Sequence, residues 1–169
     1  MNFFLLTHER EFKRPTNTGN LVIRNILEKS RQILWQRKNP DKTLLEIINS
    51  NDTVLLFPKG EGESVDDISL IENVIILDGT WQEAGKMYNK SPYLKKMKTF
   101  TLKPDNKSVY NLRRNQKDWG LCTAECVIEL LKLKGDIKSS EKLERTLLEF
   151  ISDYKFGIKH ISNYDKTSI

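Results

Sequence analysis

The stretch Leu77-Asp78-Gly79-Thr80-Trp81-Gln82-Glu83-Ala84 combines four residue types that can do chemistry on a bound ligand. Asp78 offers a carboxylate that can take a proton or hold a polar group in place. Thr80 offers a hydroxyl. Gly79 lets the backbone approach a ligand closely or adopt φ > 0. Trp81 offers a flat surface for stacking. The residues before them, Asn73-Val74-Ile75-Ile76-Leu77, form a short β-branched apolar run of the kind found in buried parallel strands. Gln82 to Met87 reads as the start of a helix. Asp78 and Thr80 therefore fall where a strand ends and a helix begins, and open α/β sheets bind ligands at the carboxyl ends of their strands. The same residues also fit a plainer assignment, with Asp78 or Thr80 capping the helix and Trp81 in the core.

Two further polar clusters stand elsewhere. Thr16-Asn17-Thr18-Gly19 supplies three N-cap residue types in a row before the apolar helical segment Leu21 to Leu27. Such a turn can leave backbone N–H groups free for a phosphate or carboxylate, or it can simply cap the helix. Thr123 opens a strongly periodic helix with Ala124, Val127, Ile128 and Leu131 on one stripe, and Glu125 in its first turn suits the helix dipole. Cys122 and Cys126, spaced i and i+4, are poorly placed for a disulfide and too few for a four-ligand zinc site. No metal is expected.

Charge is segregated along the chain. Arg10 to Lys38 holds eight basic residues and two acids, Asp41 to Glu83 ten acids and two lysines, and Lys86 to Lys117 ten basic residues and one acid. Two basic segments around an acidic one suggest a face for a polyanion. Tyr88, Tyr93, Tyr110 and Trp119 interleave with the second basic segment, a mixture suited to phosphate contacts plus base stacking. At 169 residues, with 38% hydrophobic and 30% charged, the chain fits one domain with a sizeable core. No apolar run approaches the roughly 20 residues that span a bilayer, and Met1 to Leu6 is too short for a signal peptide, so a cytoplasmic location is expected.

The elements that must position these groups follow in order. Strands are expected at Phe3–Thr7, Thr53–Pro58, Val74–Leu77 and Lys98–Leu102. Helices are expected at Leu21–Leu27, Thr43–Asn49, from Ser64 through Ile71, at Gln82–Asn89 and Pro92–Met97, from Thr123, and after a cap at Ser139 or Ser140. His8–Arg14 reads as a charged loop, Asn106–Trp119 as a basic loop and Lys155–Ile169 as a polar tail. Strands alternating with helices predict an α/β fold with a mostly parallel sheet flanked by helices.

Three segments occur together in this order: Arg14-Pro15-Thr16-Asn17-Thr18-Gly19, the Leu77–Ala84 stretch, and Leu112-Arg113-Arg114 followed by Cys122-Thr123-Ala124-Glu125. As a set they resemble the DTW-domain family of tRNA-uridine aminocarboxypropyltransferases, over roughly Phe3 to Leu133. Two features depart from that pattern. Asn20 stands where the family often has arginine, and no cysteine cluster precedes Phe3. The resemblance implies a single SPOUT-like domain carrying a trefoil knot. It also implies transfer of the 3-amino-3-carboxypropyl group of S-adenosylmethionine to N3 of a tRNA uridine, with release of methylthioadenosine. It further implies tRNA as partner and a monomer or weak dimer. On that basis Asp78 is the expected base. Thr16, Asn17, Thr18, Gly19, Leu56, Pro58, Leu77, Gly79, Thr80, Trp81, Thr123 and Glu125 are expected around the cofactor, and Arg14, Lys86, Arg113 and Arg114 on the tRNA. A SPOUT-like RNA methyltransferase and a non-enzymatic RNA-binding module are the alternatives.

Overall fold

The structure is a computed structural model that describes residues 1–58, 60–103, 107–112 and 120–156. Six strands form one all-parallel sheet in the order β2-β1-β5-β3-β6-β4: β1 (Asn2–Thr7), β2 (Ser30–Leu34), β3 (Thr53–Leu56), β4 (Ser64–Val65), β5 (Asn73–Asp78) and β6 (Thr99–Phe100). β1 and β5 pair along their whole length, with Leu6 opposite Leu77 and Thr7 opposite Asp78. Among the described residues, eight helical segments join or follow the strands: α1 (Glu9–Phe12), α2 (Gly19–Asn25), a 3₁₀ turn (Leu27–Lys29), α3 (Lys42–Ile48), α4 (Trp81–Asn89), α5 (Pro92–Lys95), α6 (Thr123–Leu133) and α7 (Ile137–Lys155).

The central strands are apolar at consecutive positions because both faces of the sheet are covered. Phe3, Leu5, Val74 and Ile76 point to one side, where α2, α6 and α7 supply Val22, Ile128, Leu143 and Leu147. Leu6, Ile75 and Leu77 point to the other, against Leu44 of α3, Met87 of α4 and Leu94. α6 and α7 form an antiparallel pair. Their turn is a Schellman motif: Asp136 N–H donates to Leu131 O at 2.9 Å and Gly135 N–H to Lys132 O at 3.0 Å, with Gly135 at φ 75°.

The structure departs from the sequence expectations at several places. Ser30–Leu34 is an edge strand that periodicity did not mark, since a strand with one free edge and half-exposed faces lacks a clean apolar pattern. His8–Arg14 contains the single helical turn α1, whose Arg10 N–H donates to His8 Nδ1 at 3.3 Å. Ser64 and Val65 are strand, not helix cap, and no helix follows them. The expected strand at Lys98–Leu102 is only Thr99–Phe100. Asp136, not Ser139 or Ser140, caps α7, its side chain accepting from Ser139 N–H. The polar tail lies outside the described residues beyond Phe156. Among the described residues, no helix is long and apolar enough to cross a membrane.

Gly135→Ala would force a Cβ into the left-handed region. It should lower unfolding stability by roughly 1–2 kcal/mol, read as a shifted urea midpoint with an unchanged slope.

Candidate active site at the carboxyl ends of the sheet

Asp78 is the last residue of β5, and at 1% exposure it is buried. Both carboxylate oxygens are held. Thr7 Oγ1, at the end of β1, and Asn17 Nδ2 each donate to Oδ2 at 3.0 Å. Thr123 Oγ1, the first residue of α6, donates to Oδ1 at 2.8 Å. One side chain thus ties together β1, β5, the turn before α2 and the start of α6. Gly19 belongs to the same knot of contacts: a Cβ there would lie 2.8 Å from Asp78 Oδ2 and 3.0 Å from Asn17 Oδ1. Its lack of a side chain makes room for the carboxylate.

The Thr16–Gly19 turn is satisfied from within. Asn17 N–H donates to Arg14 O, Asn17 Nδ2 also reaches Glu11 O, and Gly19 N–H donates to Asn17 Oδ1. These donors therefore face the protein, not an anion. Thr18 Oγ1 accepts Ala124 N–H at 3.3 Å, and Tyr110 Oη donates to Thr16 O at 2.7 Å.

Thr80, not Asp78, is the cap of α4. Its hydroxyl accepts Glu83 N–H, while Thr80 N–H and Oγ1 both donate to Glu83 Oε2 at 2.9 Å. Burial works against the charge of Glu83, but those bonds from Thr80, with His8 and Arg14 nearby, hold its carboxyl below the usual range. Glu125 plays the matching part at α6: Cys122 N–H at 2.7 Å, Val109 N–H at 2.7 Å and the Ser108 hydroxyl all donate to it. It pins the 107–112 segment to the helix start. Gly79 does not take a positive φ; a Cβ on it would meet Glu83 Cβ at 3.1 Å.

In front of this framework lies a cavity of about 440 Å³ at the carboxyl ends of β3, β5 and β6. That size falls within the range of small-molecule sites, roughly 300–1,000 Å³. Eight of the expected cofactor residues line it: Thr18, Leu56, Pro58, Leu77, Gly79, Thr80, Trp81 and Thr123. Thr16, Asn17, Gly19, Asp78 and Glu125 stand behind the wall. Phe57, Phe100, Leu102 and Leu121 add to the apolar lining and were not singled out in the sequence, and Tyr110, read there as a base-stacking group, lines it too. The position of Phe57 and Phe100 at strand ends was the available signal. Among the described lining residues none carries a charge.

The aromatic residues read as base-stacking groups are mostly core. Tyr88 is 5% exposed and stacks on Phe57 with centroids 4.2 Å apart, and Tyr110 is 3% exposed with its hydroxyl engaged. Trp119 lies outside the described residues, as do Arg113 and Arg114. Arg14 forms an ion pair with the fully buried Glu11, and Lys86 is exposed on α4. Cys122 and Cys126 line the cavity. Burial, with Glu125 beside them, pushes the Cys122 thiol well above its ordinary range and that of Cys126 up to about 12. Among the described residues, no group of three or more His, Cys, Asp or Glu is placed to hold a metal ion.

The chain matches the family model described as DTW domain over residues 1–155. It belongs to the DTW-domain family. The Asp78-Gly79-Thr80-Trp81 signature is the segment just described, running from buried strand end to helix cap. Among DTW-domain relatives, the chain is 28% identical over 152 residues to tRNA-uridine aminocarboxypropyltransferase 2 of Drosophila melanogaster, covering 85% of this chain and 59% of that protein. It is 26% identical over 113 residues to the protein of that name from Macaca fascicularis, covering 64% of this chain and 37% of the other. The mouse (Mus musculus) protein of the same name is 25% identical over 113 residues, with the same shares. The chain thus spans about three fifths or less of the curated relatives it matches. No solved structure matches it.

Two expectations follow. Asp78→Asn turns an acceptor into a partial donor facing Asn17 Nδ2, which is also tied to Glu11 O. It should therefore cost roughly 1–3 kcal/mol in urea unfolding, more than the loss of a surface cap. Because the thiolate is the reactive form, iodoacetamide at pH 8 should label neither cysteine in the folded protein and both in denaturant, as read by intact mass.

Proposed function

We propose that this protein transfers the 3-amino-3-carboxypropyl group of S-adenosylmethionine to N3 of a tRNA uridine. The observation that carries this reading is the cavity at the strand ends, in which Thr123 stands between the open space and the buried Asp78. Family membership and the names of the relatives support it.

The residues present suit an adenosyl sulfonium ligand. Leu56, Pro58 and Leu77 offer an apolar slot for a purine, with Phe57 and Leu102 extending it. Thr18, Thr123 and Gln82 offer polar groups at the other side. When bound, S-adenosylmethionine supplies an alkyl group on a positively charged sulfur, whose departure as neutral methylthioadenosine needs no acid.

The protein's own task is then to align the uracil and remove its N3 proton. Asp78 is the residue for that proton, acting through Thr123. The Thr123 hydroxyl accepts the proton from N3 as it passes its own to Asp78 Oδ1, with which it already shares a 2.8 Å bond. Holding both reactants against one rigid wall contributes the rest by orientation. The sulfonium has other carbons that could react, so alignment also decides the product. The single SPOUT-like domain with a knotted path belongs to the same reading. Beyond β6, Tyr110 donates to Thr16 O and Thr123 to Asp78 Oδ1, contacts that join described residues of this part of the chain to the turn before α2 and the end of β5.

Incubating the protein with S-adenosylmethionine and unmodified tRNA, then weighing the digested nucleosides and the adenosine by-product, tests the reading. Methylthioadenosine with a uridine heavier by the aminocarboxypropyl group is expected. S-adenosylhomocysteine would make it a methyltransferase instead. Thr123→Val should lower turnover by roughly 10²–10⁴-fold, the range for loss of general-base assistance, and far more than it weakens S-adenosylmethionine binding. Retained turnover would remove Thr123 and Asp78 from the proton path.

A further inference from the structure

β3 and β4 lie on either side of β6 in the sheet, so the segment between them has to cross β6. It crosses on the face where Thr99 stands level with Leu55, the side covered by α4. Two glycines bring the backbone close enough. A Cβ on Gly60 would lie 2.4 Å from Thr99 Cγ2 and 3.1 Å from Tyr88 Oη, and one on Gly62 would lie 1.9 Å from Met97 O. Side chains do not approach that closely, so the segment fits β6 only as bare backbone. Its two ends are fixed as well: Phe57 N–H donates to Phe100 O at 3.1 Å, and Thr99 N–H donates to Glu63 O at 2.7 Å.

Tyr88 of α4 clamps this segment from outside. Its ring stacks on Phe57, with centroids 4.2 Å and planes 15° apart. Its hydroxyl accepts Glu61 N–H at 2.6 Å. Lys95 also pairs with Glu61 at 2.8 Å, an exposed contact of little weight. Tyr88 follows Ala84 by one helical turn. Ala84, Phe57 and Pro58 line the strand-end cavity, and the buried Tyr88 stands behind them. Phenylalanine at position 88 would keep the stack. Only the hydroxyl reaches past Phe57 to the segment itself.

We propose that Tyr88 is a positioning residue for ligand binding: it fixes the Phe57 and Pro58 wall of the cavity, against which a flat heteroaromatic ring packs. The inference rests on the aminocarboxypropyl reading for the identity of that ring, the adenine that S-adenosylmethionine and methylthioadenosine share. A wall held before the ligand arrives avoids the cost of ordering it on binding. Loosening it therefore weakens affinity and not chemistry. Asp78 and Thr123 belong to β5 and α6, outside the segment that Tyr88 holds.

The test uses the whole chain, with calorimetry on S-adenosylmethionine and on methylthioadenosine and steady-state transfer to unmodified tRNA. Tyr88→Phe should raise Kd for both ligands roughly threefold to tenfold, the factor that one hydrogen bond supports. KM for S-adenosylmethionine should rise with it, while kcat stays within about twofold. Gly60→Ala drives a Cβ into Thr99 Cγ2 and should weaken both ligands at least as much. Gly60→Ala with Thr99→Ser, which deletes that methyl group, should recover part of the loss. Gly135→Ala lowers stability in the distant α6–α7 turn and should leave both Kd values within about twofold of the parent.

The proposal is overturned if Tyr88→Phe binds both ligands like the parent, or if its loss appears in kcat at saturating S-adenosylmethionine and not in Kd. It is equally overturned if Gly135→Ala weakens binding as much as Tyr88→Phe, or if the parent binds neither ligand. The by-product separates it from the reading beneath it. Methylthioadenosine release with an unaffected Tyr88→Phe sinks the role of Tyr88 alone. S-adenosylhomocysteine release with weakened binding by Tyr88→Phe sinks the aminocarboxypropyl reading alone.

Discussion

The three hydrogen bonds on the Asp78 carboxylate hold the site together. They come from residues 71, 61 and 45 positions away in sequence, so the full set forms only when the β1–β5 pairing, the Asn17 turn and α6 are all in place. A buried carboxylate tolerates that position only if its lone pairs are met, and here both oxygens are. The tie also accounts for details that would otherwise be unrelated. Gly19 must lack a side chain, Asn17 must present its amide inward, and a threonine must open α6.

Much of the fold was legible because it rests on local pattern. The β5 run from Val74 to Leu77, buried on both faces, could be little else, and the 3.6-residue stripe of α6 was equally plain. What escaped had no strong local signal. Ser30–Leu34 mixes exposed Arg31 with buried Ile33, as edge strands do, and Ser64–Val65 is too short to show alternation. At the strand ends, residue types drew together groups that surround one cavity, but did not show which of them face it. Eight expected residues line the cavity, yet in the Thr16–Gly19 turn, which the sequence allowed as an anion cradle or a plain cap, the Asn17 and Gly19 donors are met by Asp78, Glu11, Arg14 and Asn17 itself. Whether a polar group faces a ligand or its own framework depends on distant partners such as Tyr110, and sequence spacing does not record those.

Each conspicuous acid near the site has been turned inward. Asp78 fastens the strand ends, Glu83 closes the cap of α4 and Glu125 gathers the 107–112 segment onto α6. The residues that face the cavity in front of them, Thr123, Thr80 and Cys122, are uncharged. The wall is thus a neutral layer backed by three buried carboxylates, each held by hydrogen-bond donors behind it, with His8 and Arg14 near Glu83.

That layering has an electrostatic consequence. Charges set behind a low-dielectric wall are screened less than charges in water, so these carboxylates bear on the cavity, offset by His8 and Arg14 beside Glu83 and by the N–H groups that hold them, without presenting a carboxylate as a competing nucleophile. The two cysteines on this wall are held further on the thiol side, by burial first and by Glu125 beside them second. On the aminocarboxypropyl reading both effects favour the reaction. A cationic sulfonium is drawn to this wall more strongly than the neutral thioether left after transfer, so substrate binds better than by-product. The two thiols beside it stay protonated and do not intercept the alkyl group meant for N3.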